Sequence, residues 1–173
     1  MGMLEMGDVY VRCKMPQDAE KAYSGAVTFA GFIRVGFEAD ERVAGIAARA
    51  NRSLAELYAR ENQPRKADKY YSRAIKEAQS ALKRYRTEGA CKMLFHIYQE
   101  AGNRCLQDNR PKDAYKHYKE AIYMAETMPR VFTQKQDLQL LLTVYRNAAA
   151  TQCKHAQELL QKAEALQQRL EKA

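Results

Sequence analysis

The sequence has no tryptophan, and only 4 prolines and 8 glycines among its 173 residues. Hairpins and tight turns draw on just those two residue types, so an all-β sandwich or barrel is a poor fit and helices are expected. Long apolar runs are also missing. The longest nearly uncharged stretch, Ala26 to Ile33, is interrupted by Thr28 and Gly31. It falls far short of the ~20 residues that cross a bilayer. Charges are spread through the first thirty residues (Glu5, Asp8, Arg12, Lys14, Asp18, Glu20, Lys21), so no charged-then-apolar signal peptide is expected and the chain is placed in the cytoplasm, with the nucleus open.

Paired cysteine spacings are lacking too. Cys13, Cys91, Cys105 and Cys153 are separated by 78, 14 and 48 residues, which fits neither a zinc site nor a redox dithiol. They read as small core residues in a reducing compartment. His96, His117 and His155 are isolated from one another, and His117 is expected to be exposed. With no Gly-rich phosphate loop, nucleophile elbow or paired-carboxylate motif, the sequence points away from an enzyme, a metal or a cofactor.

What the sequence does contain is a repeat. MPQDAEKAYSGAV (15–27), QPRKADKYYSRAI (63–75) and RPKDAYKHYKEAI (110–122) align without gaps. Pro16, Pro64 and Pro111 are spaced by 48 and 47 residues. Ala19, Ala67 and Ala114 keep that spacing, as do Tyr23, Tyr71 and Tyr118, and Ala26, Ala74 and Ala121. Proline suits the first turn of a helix, where the N–H it lacks has no intrahelical partner. Steps of three, four and three then place Ala, Tyr and Ala on one buried face. Upstream, a small residue (Gly7, Ala55, Gly102) stands twelve before each block's first Ala, and Tyr10, Tyr58 or Cys105 follows it by three. Each repeat therefore reads as a helix, a short turn and a second helix.

Small residue, aromatic at +3, Ala at +12, Tyr at +16 and Ala at +19 resembles the tetratricopeptide repeat. The resemblance covers about 1–128 as three repeats, and Tyr145, 47 residues after Tyr98, suggests a fourth leading helix. The usual period is about 34 residues. Here it is 47 to 48, so each helix would gain nearly two turns. The chain is similar in kind to the spindle-orientation adaptors and kinesin light chains.

The family implies an all-α fold, a right-handed α-solenoid of antiparallel helix pairs in one domain over 1–173. Repeats are expected at about 1–36, 37–86 and 87–129, with a C-terminal helix or partial repeat at 130–173. Seven helices are predicted, at about 3–13, 16–35, 40–61, 64–85, 88–108, 111–128 and 133–172. The last is a long cap. Its Leu159, Ala163, Leu166, Leu170 and Ala173 form a short a/d pattern, so self-association through 156–173 is the sharper reading of it. The first leading helix is short, as in an array with a shortened cap or in a piece of a longer chain.

In this family the leading helices line a concave groove that holds a partner peptide. The groove positions carried over are Asp8 and Arg12; Arg49, Arg52, Ser53, Glu56 and Arg60; His96, Gln99, Glu100, Asn103 and Gln107; and Arg146, Asn147 and Lys154. The strongest candidates among them are Arg12, Arg49, Arg52, Glu56, Arg60, Gln99, Asn103, Arg146 and Asn147. Members that bind acidic chaperone tails use a Lys-and-Asn clamp; here Arg52, Glu56 and Glu100 stand at clamp positions and only Asn103 fits, which argues against that ligand.

Net charge is +8, and residues 60–120 hold 15 Lys+Arg against 8 Asp+Glu. Much of the excess (Lys66, Lys69, Arg73, Lys76, Lys83, Arg84) falls on a second helix. It reads as a solvated convex face, with an acidic protein partner as the sharper alternative. Nucleic acid fits less well, since the tyrosines that could stack on bases are engaged in packing. The functional expectation is a non-catalytic adaptor or scaffold binding a peptide or helix of another protein. The alternative is a structural subunit that self-associates or packs into a larger complex through its C-terminal helix and repeat ends.

Overall fold

The computed structural model describes residues 2–36, 41–151 and 153–171. These residues form eight helices and no strand: α1 (Met3–Arg12), α2 (Pro16–Gly36), α3 (Glu41–Arg60), α4 (Pro64–Tyr85), α5 (Glu88–Gln107), α6 (Pro111–Thr127), α7 (Lys135–Ala150) and α8 (Ala156–Glu171). The fold class is all-α. Two compact units divide it, Met1–Met93 and Leu94–Ala173, the division falling inside α5.

The turn that joins leading to second helix is built three times in the same way. Lys14, Asn62 and Asn109 adopt left-handed backbone, at φ 58, 55 and 55°. The next residue's N–H then reaches back five positions: Met15 to the Tyr10 carbonyl, Gln63 to Tyr58 and Arg110 to Cys105, at 2.8–2.9 Å. The left-handed residue itself bonds three back, to Val11, Ala59 and Leu106. This double bond pattern satisfies carbonyls that a helix end would otherwise leave open. One residue later the proline begins the next helix.

The repeat's stripe is the buried face. Ala19, Tyr23 and Ala26, Ala67, Tyr71 and Ala74, and Ala114, Tyr118 and Ala121 are all 5% exposed or less. In the first unit α1 packs on α2, α2 on α3 and α3 on α4, and α1 also touches α3, so leading helices lie side by side. Leu4, Ala19, Tyr23, Ala50, Leu54, Leu57 and Tyr58 form one core there. In the second unit α6 packs on α7 and α7 on α8, and the Tyr118 hydroxyl on α6 donates to Asn103 Oδ1 on α5 at 2.7 Å.

Several expectations need correction. The single C-terminal helix over 133–172 is two helices, so there are eight described helices rather than seven and no long cap. Thr151 follows the last residue of α7, and its N–H and its hydroxyl both donate to the Ala148 carbonyl, at 3.2 and 2.6 Å. The chain then turns, and α8 packs back on α7. Of the cysteines, Cys91 and Cys105 are buried, Cys153 is half-buried and Cys13 is exposed on the first turn. His117 is half-buried rather than exposed, its ring 6.2 Å from that of Tyr98. The break expected around Gly36 to Asp40 falls at the end of α2, with residues 37–40 outside the described ones. Among the described residues no helix is long and apolar enough to cross a membrane.

Candidate functional site

Residues spaced by four share one helix face, and the contact between α1 and α3 sets two such faces together. Asp8 and Arg12 from α1, and Arg52, Glu56 and Arg60 from α3, line a single cavity of about 290 Å³, joined by Tyr23 and Ser53. Val11 and Leu57 supply apolar wall. Four of the strongest sequence candidates, Arg12, Arg52, Glu56 and Arg60, are therefore brought together.

The charges inside this cleft are arranged unequally. Glu56 stands between two guanidinium groups, 3.6 Å from Arg52 Nε and 3.9 Å from Arg60. The Tyr23 hydroxyl donates to Asp8 Oδ1 at 2.7 Å. Burial, and then the Asp8 carboxylate that accepts this proton, hold the Tyr23 hydroxyl well above the usual tyrosine range. Three guanidinium groups thus face two carboxylates, both already engaged, which leaves the cleft cationic.

The remaining candidates do not join it. Arg49 lines a separate cavity of about 630 Å³ with Arg42, Met3, Phe29 and Ile46. Gln99 is buried at 8% exposure and presents no surface. Asn103 accepts from Tyr118 and, at 3.0 Å, from Asn147 Nδ2. Asn103 and Asn147, both half-buried, therefore tie α5, α6 and α7 together. Arg146 donates to Gln167 on α8, because α8 folds back where a continuous helix had been expected. Ser53 joins the cleft, His96 and Glu100 are half-buried, and Gln107 and Lys154 are exposed. Lys66, Lys69, Arg73, Lys76, Lys83 and Arg84 on α4 are all exposed. In the C-terminal a/d stripe, Leu159 and Ala163 are buried within the chain itself; Ala173 lies outside the described residues.

Sequence reasoning treated Tyr23 as packing alone. A signal was available: Asp8 precedes Tyr23 by fifteen residues, as Asn103 precedes Tyr118, and both pairs are hydrogen-bonded. It also missed a cavity of about 590 Å³ in the second unit, floored by Phe132, Leu141 and Tyr145 and walled by α8. No group of three or more His, Cys, Asp or Glu among the described residues is placed to hold a metal ion.

No protein-family model matches the sequence, and no curated protein matches it. Among solved structures, a chain described as "DHF58 filament" is similar over 98% of this chain and 78% of its own length, at 20% identity and a TM-score of 0.40.

Proposed function

We propose that the chain is a non-catalytic helical-repeat adaptor of the tetratricopeptide kind, holding a peptide or helix of a partner protein at the cleft between α1 and α3. The observation that carries this reading is the convergence of Arg12, Arg52, Glu56 and Arg60 on one cavity. These are positions at which the family's leading helices meet their ligands. Three repeated helix-turn-helix units with one buried Ala/Tyr/Ala stripe support the same reading. A right-handed winding of the helix pairs and a cytoplasmic setting go with it.

The partner's chemistry follows from the cleft's excess of positive charge. A carboxylate side chain or chain terminus pairs with guanidinium through charge-assisted hydrogen bonds, each exposed pair contributing about 0.2–1 kcal/mol. Arg12 is exposed toward such a group, and Arg60, also exposed, would share it with Glu56, 3.9 Å away.

Affinity capture from lysate with the intact chain beside an Arg12→Ala/Arg60→Ala variant, matched for helicity by circular dichroism, tests the proposal. Partners lost by the variant at least tenfold are expected. Identical partners on both would sink the cleft reading. A concentration-dependent mass that disappears on deleting 156–173 would favour self-assembly instead.

A further inference from the structure

The cavity of the second unit differs in kind from the cationic cleft. It is formed where the loop after α6 and the helices α7 and α8 meet, and its volume of about 590 Å³ lies within the range of small-ligand sites. Its body is apolar: Phe132 is 4% exposed and Leu141 is 8% exposed, with Leu138 and Leu166 completing the wall. Such a floor favours a ligand with an apolar body, because each methylene removed from water adds to affinity.

The charged groups around it are not balanced. Lys162 is matched twice over, by Glu126 at 2.9 Å and Glu158 at 3.0 Å. Glu126, the carboxylate of the lining, also accepts from the Tyr145 hydroxyl at 3.0 Å. Arg130 and Arg169 line the same cavity. Both are exposed, so they stand where it meets solvent. Neither has a carboxylate partner among the described residues. An open groove with an apolar floor and two cations at its rim that have no carboxylate partner among the described residues fits a molecule that is apolar along its length and anionic at one end.

We infer that this cavity binds an acyl-chain carboxylate, its chain against Phe132, Leu138 and Leu166 and its head group toward Arg130 and Arg169. The site is independent of the α1–α3 cleft and stands or falls separately from it.

The test titrates the full chain, with isotopically labelled leucine methyl groups, with dodecanoate below its micellar concentration. Dodecyltrimethylammonium serves as the same chain with the opposite head, and butyrate as the same head with little body. One-to-one saturable binding of dodecanoate that shifts the Leu138 and Leu166 methyl signals is expected, with at least tenfold weaker binding of both controls. Arg130→Ala/Arg169→Ala, both at exposed positions, should weaken dodecanoate at least tenfold, and Ala165→Trp, which fills the opening, should abolish it; circular dichroism checks the fold of each. Equal binding of the two head groups, or unchanged affinity in the double alanine variant, would overturn the inference. So would a leucine-terminated peptide with a free carboxylate binding more than tenfold tighter than dodecanoate, since the site would then belong to a chain terminus.

Discussion

In the first and third repeats a missing side chain decides where the tyrosine can lie, whereas the second carries Ala55 at that position. A Cβ built on Gly102 would stand 2.6–3.0 Å from three ring atoms of Tyr118, and Gly7 lies under Tyr23 in the same way. Neither ring can swing aside freely, because its hydroxyl is fixed by Asn103 in one case and Asp8 in the other. The glycine at that position is thus a seat for the aromatic sixteen residues on. Gly102→Ala should cost roughly 1–3 kcal/mol by overpacking, partly offset by the ~1 kcal/mol gain in helix propensity. A net loss of up to about 2 kcal/mol is expected from urea unfolding midpoints. Gly31→Ala should have the opposite sign, since a Cβ there meets open space among the described residues, and the propensity gain of about 0.5–1 kcal/mol is then unopposed. Equal effects at the two positions would refute the packing account of Gly102.

At the scale of elements, the helix-to-helix turn is one device used three times, with residues of unequal suitability. Asn tolerates left-handed backbone better than Lys does, yet Lys14 occupies the position that Asn62 and Asn109 hold elsewhere. Lys14→Asn should therefore raise stability by about 0.5–1 kcal/mol, and Lys14→Gly by a similar amount, both read from thermal unfolding. No gain from either would mean that exposed Lys14 has a compensating contact. These turns also show why so much of the helix order was readable in advance. Proline, Ala and Tyr recur in register, and hydrophobic periodicity is local information that survives in a single sequence. The end of α7 at Ala150 was not readable, because no Pro or Gly stands between it and the start of α8 at Ala156. The cost of missing it was large: without a returning α8 there is no wall for the second cavity and no partner for Arg146. The candidate site was legible only where a carried-over position also faced solvent. Arg12 and Arg60 are exposed and share one cavity with half-buried Arg52 and Glu56, whereas Gln99 is buried and half-buried Asn103 and Asn147 bond to each other and to Tyr118.

Across the whole molecule, the tyrosines link folding to alkaline pH. Tyr23 and Tyr58 in the first unit and Tyr118 and Tyr145 in the second all have hydroxyls raised above tyrosine's ordinary value of 10, with burial as the leading cause. Tyr23, Tyr58 and Tyr145 also donate to carboxylates, of Asp8, Glu20 and Glu126, which would repel a phenolate. Tyr118, fully buried, is pushed up to about 12. A raised folded-state pKa means that the folded chain keeps a proton that the unfolded chain releases above pH 10. The stabilisation is whole below pH 10 and is lost as pH rises toward the folded-state value. Each such group lowers unfolding free energy by about 1.4 kcal/mol per pH unit through that window. For Tyr118 the window runs from pH 10 to about 12. Urea unfolding followed by circular dichroism at pH 8, 10 and 11 should show a modest fall over the first interval, where burial holds the Cys91 proton that the unfolded chain releases, and a steeper fall over the second. Tyr118→Phe removes one titrating group, so it should flatten that fall by about 1.4 kcal/mol per pH unit, even though the lost bond to Asn103 lowers stability at pH 8. A Tyr118→Phe curve parallel to that of the unaltered chain would show that this hydroxyl does not hold its proton through folding.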